Sequence, residues 1–161
     1  MGSFNLPVKN SGGNPPEVEA GLALVRFDDI KQRLVEQFIT ESDNYGKPDD
    51  GQRLDILFTL LDEDRAVVFD ERDDGSIVPV ELRQAKACKP GATGQNSNFY
   101  EYLSGLLTVE EMALWEVATA DKPFDGSAMQ GRIYNVKIGH NKKGWPQVDT
   151  IIGIAKEKKT K

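Results

Sequence analysis

The sequence predicts one mainly β domain with one or two helices (a β+α fold), and three observations carry that expectation. A length of 161 residues fits a single domain and suffices for a core without staples. Apolar residues recur with the two-residue period of strands in four stretches, parted by Asp-, Asn- and Gly-rich turns. One stretch, residues 98–118, instead has helical spacing and a helix-start signal. Hydrophobic residues make up 39% of the chain and charged residues 29%, which places it among globular rather than disordered sequences.

The elements follow in order. Residues 1–16 read as a flexible arm, because Ser11-Gly12-Gly13-Asn14-Pro15-Pro16 has little to bury and two prolines that block pairing. One domain is expected over 17–156 and a basic tail over 157–161. From Val18 to Ile30, Ala23, Val25 and Phe27 share one parity and Leu22, Leu24 and Ile30 the other, as in a strand partly buried on both faces. Leu34, Val35, Phe38 and Ile39 continue it either as strand or as helix, since both spacings fit. Residues 43–51 form a turn cluster. Leu54, Ile56, Phe58 and Leu60 alternate with Arg53, Asp55, Leu57 and Thr59, the pattern of a half-buried strand. Residues 66–69 and 77–82 form a hairpin closed by Asp73-Asp74-Gly75.

Helices are expected over 98–107 and 108–118, covering an open end of the sheet. Thr108 and Glu111 make a capping box, and Val109, Met112, Trp115 and Ala118 give one apolar face. The last element is a hairpin: a strand over 130–138, a turn over 139–146 and a return strand over 147–156. Tyr134, Val136 and Ile138 share a parity, which reads as core. Val148, Thr150, Ile152 and Ile154 share a face of the return strand.

Charge is unevenly placed. The net charge is −6, but residues 126–161 hold eight basic and two acidic residues, whereas residues 1–125 hold twelve basic and twenty-four acidic ones. A local +6 on an acidic body points to an anionic partner for the basic part. No apolar run approaches the length that spans a bilayer, and the N-terminus has no signal-like apolar core, so a cytoplasmic location and no membrane partner are expected.

The residues speak against an enzyme, a metal site or a cofactor. Cys88 is the single cysteine and His140 the single histidine, and His140 lies in a polar turn. Four zinc ligands cannot be assembled from them. Asp70, Asp74, Gly75, Ile77 and Glu81 fall at calcium-loop positions, but Arg72 stands where an oxygen ligand belongs and the flanks read as strand. Gly91 to Gly94 lacks the lysine of a phosphate-binding loop. Asp62, Glu63 and Asp64 read as solvated turn charges.

The closing hairpin remains. Single-stranded nucleic acid is held by cations tracking phosphates and by aromatic rings stacking on bases. Arg132, Lys137, Lys142, Lys143 and Trp145 supply both within one element, and Phe27 and Arg53 add candidates from the first two strands. Two placements of Trp145 fit: exposed for stacking, or folded back on the sheet.

The order of elements suits a five-stranded OB-like barrel with its helices between the third and fourth strands. In that order the chain resembles small phage single-stranded DNA-binding proteins. The resemblance rests on Glu19-Ala20-Gly21-Leu22-Ala23-Leu24-Val25, on Leu54-Asp55-Ile56-Leu57-Phe58-Thr59-Leu60, and on Gly131-Arg132-Ile133-Tyr134-Asn135-Val136-Lys137-Ile138 with its return strand. It implies largely sequence-independent binding of single-stranded DNA in phage replication or recombination, in the host cytoplasm. Replication or recombination proteins would be further partners, and a homo-oligomer is compatible with it. The chain departs from bacterial single-stranded DNA-binding proteins in ending on Lys156-Glu157-Lys158-Lys159-Thr160-Lys161 rather than an acidic tail. Two other readings are a β-rich protein–protein or virion assembly module, and an inhibitor whose acidic body mimics DNA.

Overall fold

The computed structural model describes residues 15–34, 51–90 and 93–156. The ambiguous run 35–39, the tail 157–161, most of the arm and most of the turn cluster over 43–51 lie outside the described residues. Along the chain come β1 (Gly21–Leu34), β2 (Gln52–Leu61), β3 (Phe69–Glu71), β4 (Ile77–Pro79) and β5 (Glu81–Arg83). Helices α1 (Asn98–Leu106) and α2 (Val109–Glu116) follow, then a short 3-10 turn (Gly126–Met129), β6 (Ile133–His140) and β7 (Pro146–Ile154). Five strands form one antiparallel sheet in the order β5-β2-β1-β6-β7, and β3 pairs with β4 in a separate two-stranded sheet. The fold is mainly β with two helices, and no helix among the described residues is long and apolar enough to cross a membrane.

Among the described residues the sheet is not closed into a barrel, which corrects the sequence expectation. Its edge strands β5 and β7 meet at one parallel bridge, Gln84 to Val148, and one backbone bond, from the Ala85 N–H to the Val148 carbonyl at 2.9 Å. A three-residue β5 offers no ladder to extend that contact. The helices also follow five strands rather than three. The run 77–82 is not one strand, because Pro79 has no N–H to give to a ladder. The buried Val80 then carries the chain out of the β3–β4 hairpin and into the large sheet, where Leu82 enters the core.

Two bulged strands explain which side chains reach that core. On β1 the pairing runs Phe27 to Phe58 and then Asp29 to Leu57, so Asp28 is the extra residue. Its carboxylate accepts from Arg26 Nε (2.9 Å) and from Thr59 Oγ1 (2.6 Å), which pins the bulge. The extra residue flips the parity, so Ile30 pairs with the buried Ile56 on the core side, although sequence alternation sets it opposite Val25 and Phe27. On β7, Val136 pairs with Ile151 and Ile138 with Val148, leaving Asp149 and Ile152 as extra residues. Val148 and Ile151 are therefore buried, while Thr150, Ile152 and Ile154 are exposed.

The helices cover the core as the caps foretell. The Ser97 hydroxyl accepts from Tyr100 N to start α1, and Thr108 and Glu111 form the capping box of α2. Phe99, Tyr102, Leu103 and Leu106 of α1 are buried. In α2, Met112 and Trp115 lean on the core, but Val109 stands exposed against expectation. Helix α1 lies so close to β7 that a Cβ built on Gly105 would sit 2.8 Å from the Ile151 carbonyl oxygen. In a free helix Gly→Ala would stabilise by about 1 kcal/mol. Here overpacking reverses the sign, and Gly105→Ala is expected to lower unfolding free energy by about 1–3 kcal/mol in a urea titration. A stabilised variant would mean that α1 and β7 are not in this contact.

Candidate nucleic-acid interface

The basic side chains separate into three groups. Arg132, just before β6, is committed inside the protein. Its NH1 and NH2 bind both oxygens of Glu111 at 2.8 and 3.0 Å, with both side chains mostly buried. The pair locks the capping box to the sheet. The guanidinium holds the Glu111 carboxyl at about 2, well below its ordinary 4.5, and the carboxylate pushes the Arg132 pKa up in turn. Lys137 is exposed on the outer face of β6, between Leu22 of β1 and Thr150 of β7. Lys142 and Lys143 are exposed in the turn between β6 and β7. That turn is built by Asn141, whose side-chain oxygen accepts from Lys143 N and Trp145 N, both at 2.9 Å.

The aromatic candidates also separate. Phe27 is a core ring, edge-on to Phe58 at 6.1 Å, because its parity precedes the β1 bulge. Tyr134 is fully buried and its hydroxyl donates to the Leu106 carbonyl at 2.6 Å. Trp145 is half-buried, lining a cavity of about 510 Å³ with Pro16, Arg72, Val78, Pro79 and Glu81.

A third basic group escaped the sequence reading except for Arg53. On the outer face of β1, β2 and β5, Asp55 is buried and accepts from Arg33 Nε at 2.7 Å and from Arg83 NH1 at 3.5 Å. Arg53, itself buried, lines the same cavity of about 260 Å³, together with Gln84 and Gln147. The cross-strand register makes the cluster: Arg33 faces Arg53, Lys31 faces Asp55, and Arg83 faces Leu57. Two guanidiniums, Arg33 and Arg83, thus share one carboxylate. Arg33 and Arg83 keep 45% and 47% of their side chains exposed, so each can still present donors outward. One signal for the cluster was in the sequence: Asp55 on the outer parity of β2 needed a cation, and the pairing of β1 with β2 brings Arg33 to it.

The arginine cavity and the Trp145 cavity succeed each other along the line where β5 and β7 approach. Glu81 and Trp145 line one, and Arg83 and Gln147, two residues further along the chain in each case, line the next. One cavity thus presents the Trp145 ring and the other the guanidiniums.

The remaining chemistry-bearing groups lie elsewhere. Cys88 is buried, its backbone paired with Leu54, and burial raises its thiol pKa. His140 ends β6 with Nε2 at 2.6 Å from the Val18 carbonyl oxygen. In the calcium-like stretch, Asp74 accepts from the Ser76 backbone and hydroxyl, which lowers its pKa and closes the β3–β4 turn. Among the described residues no group of three or more His, Cys, Asp or Glu side chains is placed to hold a metal ion.

Fold and site define a small β+α protein with an arginine-lined cavity beside the approach of β5 and β7. No family model, curated protein or solved structure matches the chain.

Proposed function

We propose that the chain binds single-stranded DNA along the β5–β7 seam, largely without regard to sequence, in support of phage replication or recombination. The observation that carries this reading is the pair Arg33 and Arg83, both held on Asp55 in a cavity that Arg53 also lines. Arginines fixed by a buried carboxylate lose less freedom on meeting a phosphate than free side chains would. A strand laid along the seam sets phosphates against these guanidiniums and a base against the half-buried Trp145, the pairing of charge and stacking that such ligands use. Lys142 and Lys143, in the same turn as Trp145, extend the positive path.

The finer fold reading belongs with this proposal. We take the sheet as an OB-like barrel left open at one seam. Its support is the strand order β5-β2-β1-β6-β7 and the lone parallel bridge between the edge strands. Partly open barrels of this kind bind oligonucleotides across the second and third barrel strands and the adjoining loops. Here those strands are β2 and β5, which carry Arg53, Asp55 and Arg83.

The test is fluorescence anisotropy of labelled oligo-dT and of a duplex of equal length, at two salt concentrations. Expected are saturable binding of oligo-dT, weaker binding of the duplex, and affinity that falls steeply with salt. No binding of oligo-dT at low salt would refute the proposal.

A further inference from the structure

A third cleft lies beside the helices. Its volume is about 670 Å³, within the range of ligand sites, and Tyr100, Trp115, Phe124, Glu116, Pro123 and Gln95 contribute to its walls. Tyr100 meets Trp115 edge-on at 5.8 Å, and Phe99 backs Trp115 from the core side at 6.3 Å. The Trp115 ring is thus fixed and half-exposed. Glu116 is exposed beside it and accepts from the Tyr100 hydroxyl. Among the described residues no cation pairs with Glu116. The surrounding segment is strongly acidic: residues 93–125 hold six acidic residues and one lysine. Glu101 is paired with Lys86, and Glu111 with Arg132. Exposed Leu114 stands on the same helix and exposed Val117 caps its C-terminal end.

We propose that this cleft is a docking site for a basic segment of a partner protein, with a lysine or arginine side chain lying over the Trp115 ring and its charge facing Glu116. Three features choose that occupant. An indole face is the best aromatic partner for a cation. Among the described residues the carboxylate has no cation of its own. The negative potential of the segment attracts a positive chain and repels an anionic one such as nucleic acid. The site is independent of the DNA-binding reading and involves none of its residues.

The test follows the two indole N–H resonances of the full chain in ¹⁵N–¹H spectra, assigned with Trp145→Phe. The probe is a capped lysine-containing octapeptide. The controls are the same peptide with glutamine for lysine and a neutral proline-rich peptide. The lysine peptide is expected to move the Trp115 resonance saturably and leave Trp145 in place, with neither control doing so. Glu116→Gln should weaken binding roughly fivefold, and Glu110→Gln, equal in charge and outside the cleft, by less than about twofold. The proposal is overturned if the lysine peptide leaves Trp115 unmoved, if either control moves it as far, or if the two Glu→Gln variants weaken binding equally.

Discussion

Arg132→Met is expected to destabilise the protein by roughly 3 kcal/mol, while leaving DNA affinity of the folded fraction unchanged. The substitution strands the Glu111 carboxylate in a mostly buried setting, its two guanidinium bonds replaced by nothing. The linkage argument gives a similar size. Glu111 sits at about 2 when folded against an ordinary 4.5, and such a depression is worth on the order of 3 kcal/mol. A lowered carboxyl pKa stabilises the fold fully above about pH 4.5, and this contribution disappears as pH falls toward 2. The wild-type unfolding free energy should therefore drop across that window, and the variant should show a flatter acid limb. Urea titrations at several pH values between 2 and 5 measure both, those limits bracketing the two values above. An unchanged acid limb would mean that the pair does not form in solution.

Gln84→Leu is expected to cost about 2–4 kcal/mol, an effect out of proportion to a single polar side chain. Gln84 is 5% exposed, and its amide stands in for a strand. Its oxygen accepts from Ile56 N at 2.8 Å and its nitrogen donates to the Leu54 carbonyl at 2.7 Å. At this point β5 has left β2 to approach β7, and without the amide two backbone groups of β2 would lie buried and unsatisfied. Leucine fills the volume but makes neither bond. Equilibrium urea unfolding reads the loss, and a change within about 0.5 kcal/mol would show that water replaces the amide.

The contrast between these two residues shows what the sequence makes legible. Periodicity located β2 and the β6–β7 hairpin, and the Thr108–Glu111 box located the start of α2, because these signals are local. Tyr134 was readable as core for the same reason. The bulges at Asp28 and at Asp149 and Ile152 were not, since a bulge is set by the partner strand, and each one reverses the parity beyond it. That is why Ile30 joins the core and Ile152 leaves it. Arg132 looked like a surface cation because its partner lies on a helix twenty-one residues earlier. The arginine cluster was hidden in the same way: Arg33, Arg53 and Arg83 are far apart along the chain and meet only through the pairing of β1, β2 and β5. Trp145 proved intermediate between its two sequence placements, half-buried and lining a cavity.

The most direct test of the central claim is the salt dependence of oligo-dT binding in Arg33→Gln/Arg83→Gln, compared with wild type under identical folding checks. If these two guanidiniums meet phosphates, the slope of log affinity against log salt falls in magnitude by about 1.4, close to 0.7 for each lost contact. A double variant that stays folded, binds more weakly and yet keeps the wild-type slope would contradict the account and place the DNA elsewhere on the protein.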